Sequence, residues 1–368
     1  MSLPLKHVSL KNIIIIESHN DFDCNGGALY QYLIDNNYNS SYKIVWLIKH
    51  PEDIPNSLPE NVVCVPAYRP SIKKNYYKWV AKYMSFDQDC ERKLRKDQIS
   101  LYCTHGAIAL KNCAGLANVP KDVNYCLSPS EFYTPILANQ LGLKQDGRFV
   151  ICGYPEQDIL FSESKGDFYK ISNKKYNKII LWMPTFRVSE TGRKDSISDK
   201  KLGIPLIESI DEYDKLNDYM RNRNIFLIIK LHPKADLSHL AISDKSNIKV
   251  ISWKEQKKLQ INNFKLMIDS DAMISDYSSS AYHYLQLNRP IAYDFSDIND
   301  YKIGLCVKDP RDLMAGYEIH TLQDLYIFLD DINNNSDRYI DEREKLINKL
   351  YKYHDGCSCE RVVKLLKL

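Results

Sequence analysis

Short apolar runs rich in isoleucine, valine and leucine recur along the whole 368-residue chain, and segments with helical spacing separate them. That alternation is the strongest constraint on the fold. Strands apolar on both faces must be covered on both faces, which parallel α/β sheets achieve with their crossover helices. The first set of runs covers 13–16, 44–48, 62–65, 99–103, 123–127 and 149–152, and the second covers 179–182, 225–229, 248–251, 272–275 and 291–295. Between them the polar stretch 162–178, with Gly166 and several lysines, reads as a linker. The expected architecture is α/β, with two doubly wound domains over 1–165 and 166–335 and C-terminal helices over 336–368. Ser336 is the expected N-cap of a helix carrying Tyr339, Ile340, Arg343, Leu346, Ile347 and Leu350, and a last helix carries Val362, Val363, Leu365 and Leu366.

Composition narrows the function classes. Fifty Lys+Arg against 47 Asp+Glu leave a formal charge of +3, too mild for a dedicated nucleic-acid binder. No apolar stretch approaches the ~20 residues of a membrane-spanning helix, and the opening segment 1–12 lacks the apolar core of a signal peptide. The ten cysteines include no C-x-x-C unit, so they read as reduced thiols and not as a zinc site.

Sheets of this kind bind ligands beyond the carboxyl ends of their strands, which makes the strand ends the places to look for chemistry. The run at 272–275 is followed by a tight turn at Asp276 and Tyr277 and then by a helix whose expected first turn contains Ser278, Ser279 and Ser280. A hydroxyl-rich helix start suits a phosphate group, and a simple N-cap role for Ser278 accounts for the same pattern. The run at 225–229 ends in Lys230, Leu231, His232 and Pro233, which puts Lys230 and His232 on one face. Beside a diphosphate a cationic His232 would be favoured as a clamp; alternatively it is a solvated strand-end histidine. The run at 99–103 ends in Thr104, His105 and Gly106, where a turn at Gly106 leaves His105 poised as a base for a hydroxyl. Pro184, Thr185, Phe186 and Arg187 follow the run at 179–182, with Arg187 either on a phosphate or supporting its loop. Gly153 to Asp158 reads equally well as a turn, and Asp269, Asp271 and Asp276 read as structural strand-end acids, not as metal ligands.

In the order Thr104-His105-Gly106 with Lys111, Gly153-Tyr154-Pro155-Glu156-Gln157-Asp158, Pro184-Thr185-Phe186-Arg187, Lys230-Leu231-His232-Pro233, Ser275-Asp276-Tyr277-Ser278-Ser279 with Asn288-Arg289-Pro290, and His354-Asp355-Gly356 with Glu360-Arg361, the motifs are similar to those of one family. From about Asn12 onward the chain resembles the CDP-glycerol glycerophosphotransferases, the teichoic acid primases and polymerases. The resemblance implies a GT-B fold, in which two Rossmann-like domains face each other across a cleft. It also implies transfer of an alditol phosphate, most simply glycerol phosphate, from a CDP-linked donor to a hydroxyl. By position it makes His105 the base and His232 the donor-phosphate histidine. Thr104, Gly106, Pro184, Thr185, Arg187, Lys230, Ser278, Ser279 and His283 are then the donor-site positions. The donor is a substrate, and no cofactor or metal is implied.

Two positions depart from the family pattern. Glu156 stands where an arginine is usual, and His283 where an aspartate is usual, so the departures read as opposite changes of charge at donor-site positions. They leave two alternatives: a GT-B nucleotide-sugar glycosyltransferase of surface polysaccharide synthesis, and a non-catalytic nucleotide-binding relative. The resemblance also implies a lipid-linked or polymer acceptor in teichoic acid or capsule assembly. The expected location is therefore cytoplasmic, peripheral to the inner face of the cell membrane. Lys74, Lys78 and Lys82 recur every fourth residue, with Ile72, Tyr76, Trp79, Val80 and Tyr83 on the other face of one expected helix. Such a stripe suits anionic lipid, although most amphipathic helices only cover their own core.

Overall fold

The computed structural model describes residues 7–368 other than 107, 164–165, 190–191 and 197–200, with the side chain of 239 also left aside. The start of the opening segment and two linker residues thus lie outside the described residues. The chain forms two compact units. One comprises Met1–Ala107, Cys113–Ser162 and Leu350–Leu368, and the other Ile108–Asn112 and Glu163–Lys349.

The first unit is built on β1 (Lys11–Glu17), α1 (Cys24–Asp35), β2 (Lys43–Ile48), β3 (Val62–Pro66), α2 (Ile72–Val80), β4 (Ala81–Phe86), β5 (Ile99–Tyr102), β6 (Tyr125–Ser128), α3 (Thr134–Gln140) and β7 (Phe149–Ile151). All seven strands are parallel, in the order β3-β2-β1-β4-β5-β6-β7. Alternate residues of β1 serve opposite cores: Ile14 and Ile16 face one cluster and Ile13 and Ile15 the other, which explains the unbroken isoleucine run.

The second unit contains β8 (Lys178–Trp182), α4 (Ile210–Asn222), β9 (Ile225–Lys230), β10 (Ile248–Ile251), α5 (Trp253–Leu259), α6 (Asn263–Asp269), β11 (Ala272–Ser275), α7 (Ser280–Leu285), β12 (Ile291–Asp294), β13 (Tyr317–Ile319), α8 (Leu322–Asn333) and α9 (Ile340–Leu350). Its six parallel strands run β10-β9-β8-β11-β12-β13. The last helix, α10 (Ser358–Leu366), places Val362, Val363 and Leu366 in a core of the first unit. The C-terminal helices therefore do not form one segment: α9 up to Lys349 counts with the second unit and α10 with the first.

Three further expectations are corrected. The lysine stripe does not lie on one helix, because α2 stops at Val80 and Lys82 and Tyr83 belong to β4. Strand β4 fills the centre of the sheet against β1, so tertiary pairing overrides the helical spacing. Lys74 and Lys78 both form ion pairs with Glu91. The helix expected from Ser336 begins at Ile340, because Asp337 is taken up by the fully buried Arg343. Strand β13 was not expected at all. All ten cysteines are free thiols.

Candidate functional site

In each sheet the strand order reverses beside the first strand, between β1 and β4 in the first unit and between β8 and β11 in the second, and the crevice for a ligand opens at that reversal. In the first unit the candidate residues lie on the loops after β1, β4 and β5. His105 is exposed, in a turn that passes through left-handed backbone at Thr104 (φ 66°) and Gly106 (φ 67°). A β-branched residue there is an outlier that surrounding contacts must hold. One such contact comes from α1: the amide of the fully buried Asn25 donates to the Thr104 carbonyl at 3.0 Å, while its oxygen accepts the Glu156 N–H at 3.1 Å. The ring of His19, from the loop after β1, stacks on His105 with centroids 3.8 Å apart and planes 20° apart.

Glu156 and Asp87 are buried in the same unit. Burial, followed by the charges of Asp87 and Asp23, pushes the Glu156 carboxyl well above the usual range, against the pull of Asn25. Burial also raises Asp87, although the Gly26 N–H and the Ser18 hydroxyl both donate to it at 2.9 Å. Burial thus works against a negative charge at this position, which the sequence alone reads as a plain change of sign.

In the second unit β9, β8 and β11 are neighbours, so their strand-end loops meet. Arg187 is not a phosphate ligand but a buried strut. Its Nε and Nη2 reach Asp297 at 2.6 and 3.0 Å, and its Nη1 reaches Asp276 at 2.8 Å and the Thr185 carbonyl at 2.7 Å. Burial opposes its charge, but the two carboxylates outweigh that and hold it cationic. Thr185 is likewise committed: its hydroxyl donates to Asp276 at 2.5 Å and its N–H to the same carboxylate at 2.9 Å. With that proton spent, Thr185 supports the loop and does not donate to a phosphate. Pro184 is buried beside it.

Lys230, the last residue of β9, is buried, and His232 is half-buried against the Phe186 ring. The Nδ1 of His232 accepts the Lys234 N–H at 3.0 Å, which places the ring proton on Nε2. In this arrangement Nε2 is the ring atom that can donate to a ligand. Helix α7 starts at Ser280, one to two residues later than expected. Ser279 is its N-cap, Ser278 accepts the Ser280 N–H at 3.3 Å, and the Ser280 hydroxyl lies 3.0 Å from that of Ser275. Ser278 and Ser279 are half-buried at the mouth of this turn. His283 is buried within α7, edge-on to Phe264, and burial lowers it to about 4. It is neutral and adds no positive charge.

The remaining acids of this region are structural. Asp269 accepts the Phe168 N–H at 2.6 Å and Asp271 the Ile179 N–H at 2.7 Å. Among the described residues, no group of three His, Cys, Asp or Glu side chains is arranged to hold a metal ion.

The family model for CDP-Glycerol:Poly(glycerophosphate) glycerophosphotransferase matches residues 3–368. The chain belongs to this family. A teichoic acid ribitol-phosphate polymerase, TarL, of Staphylococcus aureus is 28% identical over 250 residues, which is 64% of this chain and 40% of that protein. A teichoic acid poly(glycerol phosphate) polymerase of Bacillus spizizenii is 26% identical over 329 residues, 80% of this chain and 76% of that protein. The chain thus spans well under half the length of the first of these relatives. The fold is that of the wall teichoic acid polymerase TagF, a variant of which superposes with a TM-score of 0.73 at 18% identity over 97% of this chain and 89% of that one. Each unit has the parallel doubly wound sheet expected of its domain.

Sequence reasoning placed His105, His232, Lys230 and the serine turn at strand ends, where the structure has them, and did not single out His19 and Asn25. Both follow the first strand of a doubly wound sheet, and the reversal rule alone, applied to 18–25, would have drawn attention to them.

Proposed function

We propose that the chain transfers an alditol phosphate from a CDP-linked donor to a hydroxyl of a membrane-associated acceptor, in teichoic acid or capsular polymer synthesis. What carries the reading is the set of strand-end groups at the reversal of the second sheet. Lys230, the Nε2–H of His232 and the Ser278–Ser279 turn offer one cation and several donors to a diphosphate, on loops braced by Arg187 and Asp276. His105 accepts the proton of the acceptor hydroxyl, the oxygen attacks the distal phosphorus, and the bond to CMP breaks, so CMP leaves with its electron pair. Glycerol phosphate is the group in the family description, while TarL is named for ribitol phosphate.

The test is a donor panel of CDP-glycerol, CDP-ribitol and UDP-sugars, scored by release of CMP or UDP and by product mass. CMP release from a CDP-alditol is expected; UDP release alone would replace this reading with a glycosyltransferase. His105→Ala should abolish turnover with donor binding retained, and His232→Ala should weaken donor binding. Near-normal turnover in His105→Ala would remove the base assignment.

The chain is further proposed to act at the cytoplasmic membrane face. No helix of the described residues is long and apolar enough to cross a membrane. Support for docking is confined to the start of α2, where Ile72 is 79% and Tyr68 70% exposed beside exposed Arg69 and Lys73. Flotation with anionic vesicles should fall in Ile72→Glu/Lys73→Glu; unchanged flotation sinks this surface.

A further inference from the structure

The loop between β1 and α1 emerges where the first sheet reverses, and it is anchored along its length. Ser18 donates to Asp87 at 2.9 Å, the Asp21 carboxylate accepts the backbone N–H groups of Lys49 and His50 at 2.9 and 2.7 Å, and Asn25 holds the Thr104 carbonyl. At the root of the loop Glu17 accepts three successive N–H groups, from residues 87 to 89, at 3.1 Å and pairs with Lys49 at 2.6 Å. His19 therefore sits on a fixed mount. His105 is exposed on a turn, and an exposed imidazole samples several χ1 wells and a broad χ2 range unless something packs against it. The His19 ring packs against it, at 3.8 Å and nearly parallel.

We propose that His19 is a positioning residue for His105: its ring face fixes the orientation in which the His105 imidazole meets the acceptor hydroxyl. The proposal rests on the reading of His105 as the base. It explains why an exposed side chain on a strained turn can hold the alignment that proton transfer needs, since misplacement by about 1 Å costs on the order of 100-fold in rate.

The experiment uses the full chain with histidine-selective isotope labelling, as wild type, His19→Ala and His19→Phe, with His105→Asn to assign the ring signals. Stacking places the His105 ring protons in the shielding zone of His19. His19→Ala should move them downfield, and His19→Phe should keep them shielded. With the CDP-alditol that supports CMP release, His19→Ala should lower kcat about 10- to 100-fold at unchanged donor KM, and His19→Phe should restore most of it. Unmoved His105 signals in His19→Ala overturn the stack itself. Signals that move while kcat stays within about twofold of wild type overturn positioning, as does equal loss in the two variants. If the wild type releases CMP from no CDP-alditol, the catalytic reading falls and the positioning role with it, whatever the ring signals do.

Discussion

Glu156 in the first unit and His283 in the second stand where the family pattern expects the opposite kind of group, and both are buried. Burial plus the nearby Asp87 and Asp23 raises the glutamate, and burial alone lowers the histidine to about 4. In each case burial disfavours the charged form. Arg187 shows the other solution, keeping its charge because Asp276 and Asp297 face it. A formal charge change read from the sequence is therefore no guide to the field at either position.

The contrast is tested most severely at Arg187. Replacing it by Met leaves two buried carboxylates facing each other without a cation, an effect of about 3–5 kcal/mol. Urea denaturation of Arg187→Met should show a loss of that size, and adding Asp276→Asn and Asp297→Asn should recover a large part of it. A variant that unfolds like wild type would mean the cluster contributes nothing.

His283 offers the next largest effect. Its folded value of about 4 lies below the ordinary 6.5, so the unfolded chain takes up the proton first as pH falls. The stability contribution is complete above pH 6.5 and drains away towards pH 4, by about 3 kcal/mol at 1.36 kcal/mol per tenfold displacement. Asp294, pushed up to about 6 by burial, works in the opposite sense in the same unit. The readout is therefore the difference between wild type and His283→Gln, which should grow as the pH is lowered; parallel curves would place a charged histidine in the core.

Glu156 reverses the slope. Its folded value lies above the ordinary 4.5, so the folded state keeps a proton that the unfolded chain gives up, and stability falls as pH rises from 4.5 towards the folded value. Glu156→Gln should gain on wild type as the pH rises through that range. A gain on acidification instead would show a carboxylate stabilised by a cation.

Most strands were legible because their apolar runs bury both faces, and the strand-end rule then drew attention to His105, Lys230 and His232. Strand β4 stayed hidden because Lys74, Lys78 and Lys82 continue a period of four across the junction at Val80. Strand β13 is three residues long with Glu318 at its centre, too short to show a period. The role of Arg187 was illegible for another reason: its partners lie 89 and 110 residues away, and no local pattern states which cation a distant carboxylate will take.

Asp158, two residues beyond Glu156 in the same motif, gives the smallest effect and the sharpest contrast within one stretch of chain. Its carboxylate accepts the N–H groups of Ser358 and Cys359 at 2.9 and 2.8 Å, at the start of α10. A carboxylate satisfies two orphan amides and opposes the positive end of the helix, whereas the Asn amide has one acceptor oxygen and no charge. Gly153 belongs to the same joint, since a Cβ there would come 2.5 Å from the Ser358 hydroxyl. Asp158→Asn should cost about 1 kcal/mol in denaturant, with kcat unchanged. Lost turnover at unchanged stability would move Asp158 out of the joint and into donor binding. The expected result divides the motif, leaving Glu156 to set a pH dependence and Asp158 to fasten the last helix to the first unit.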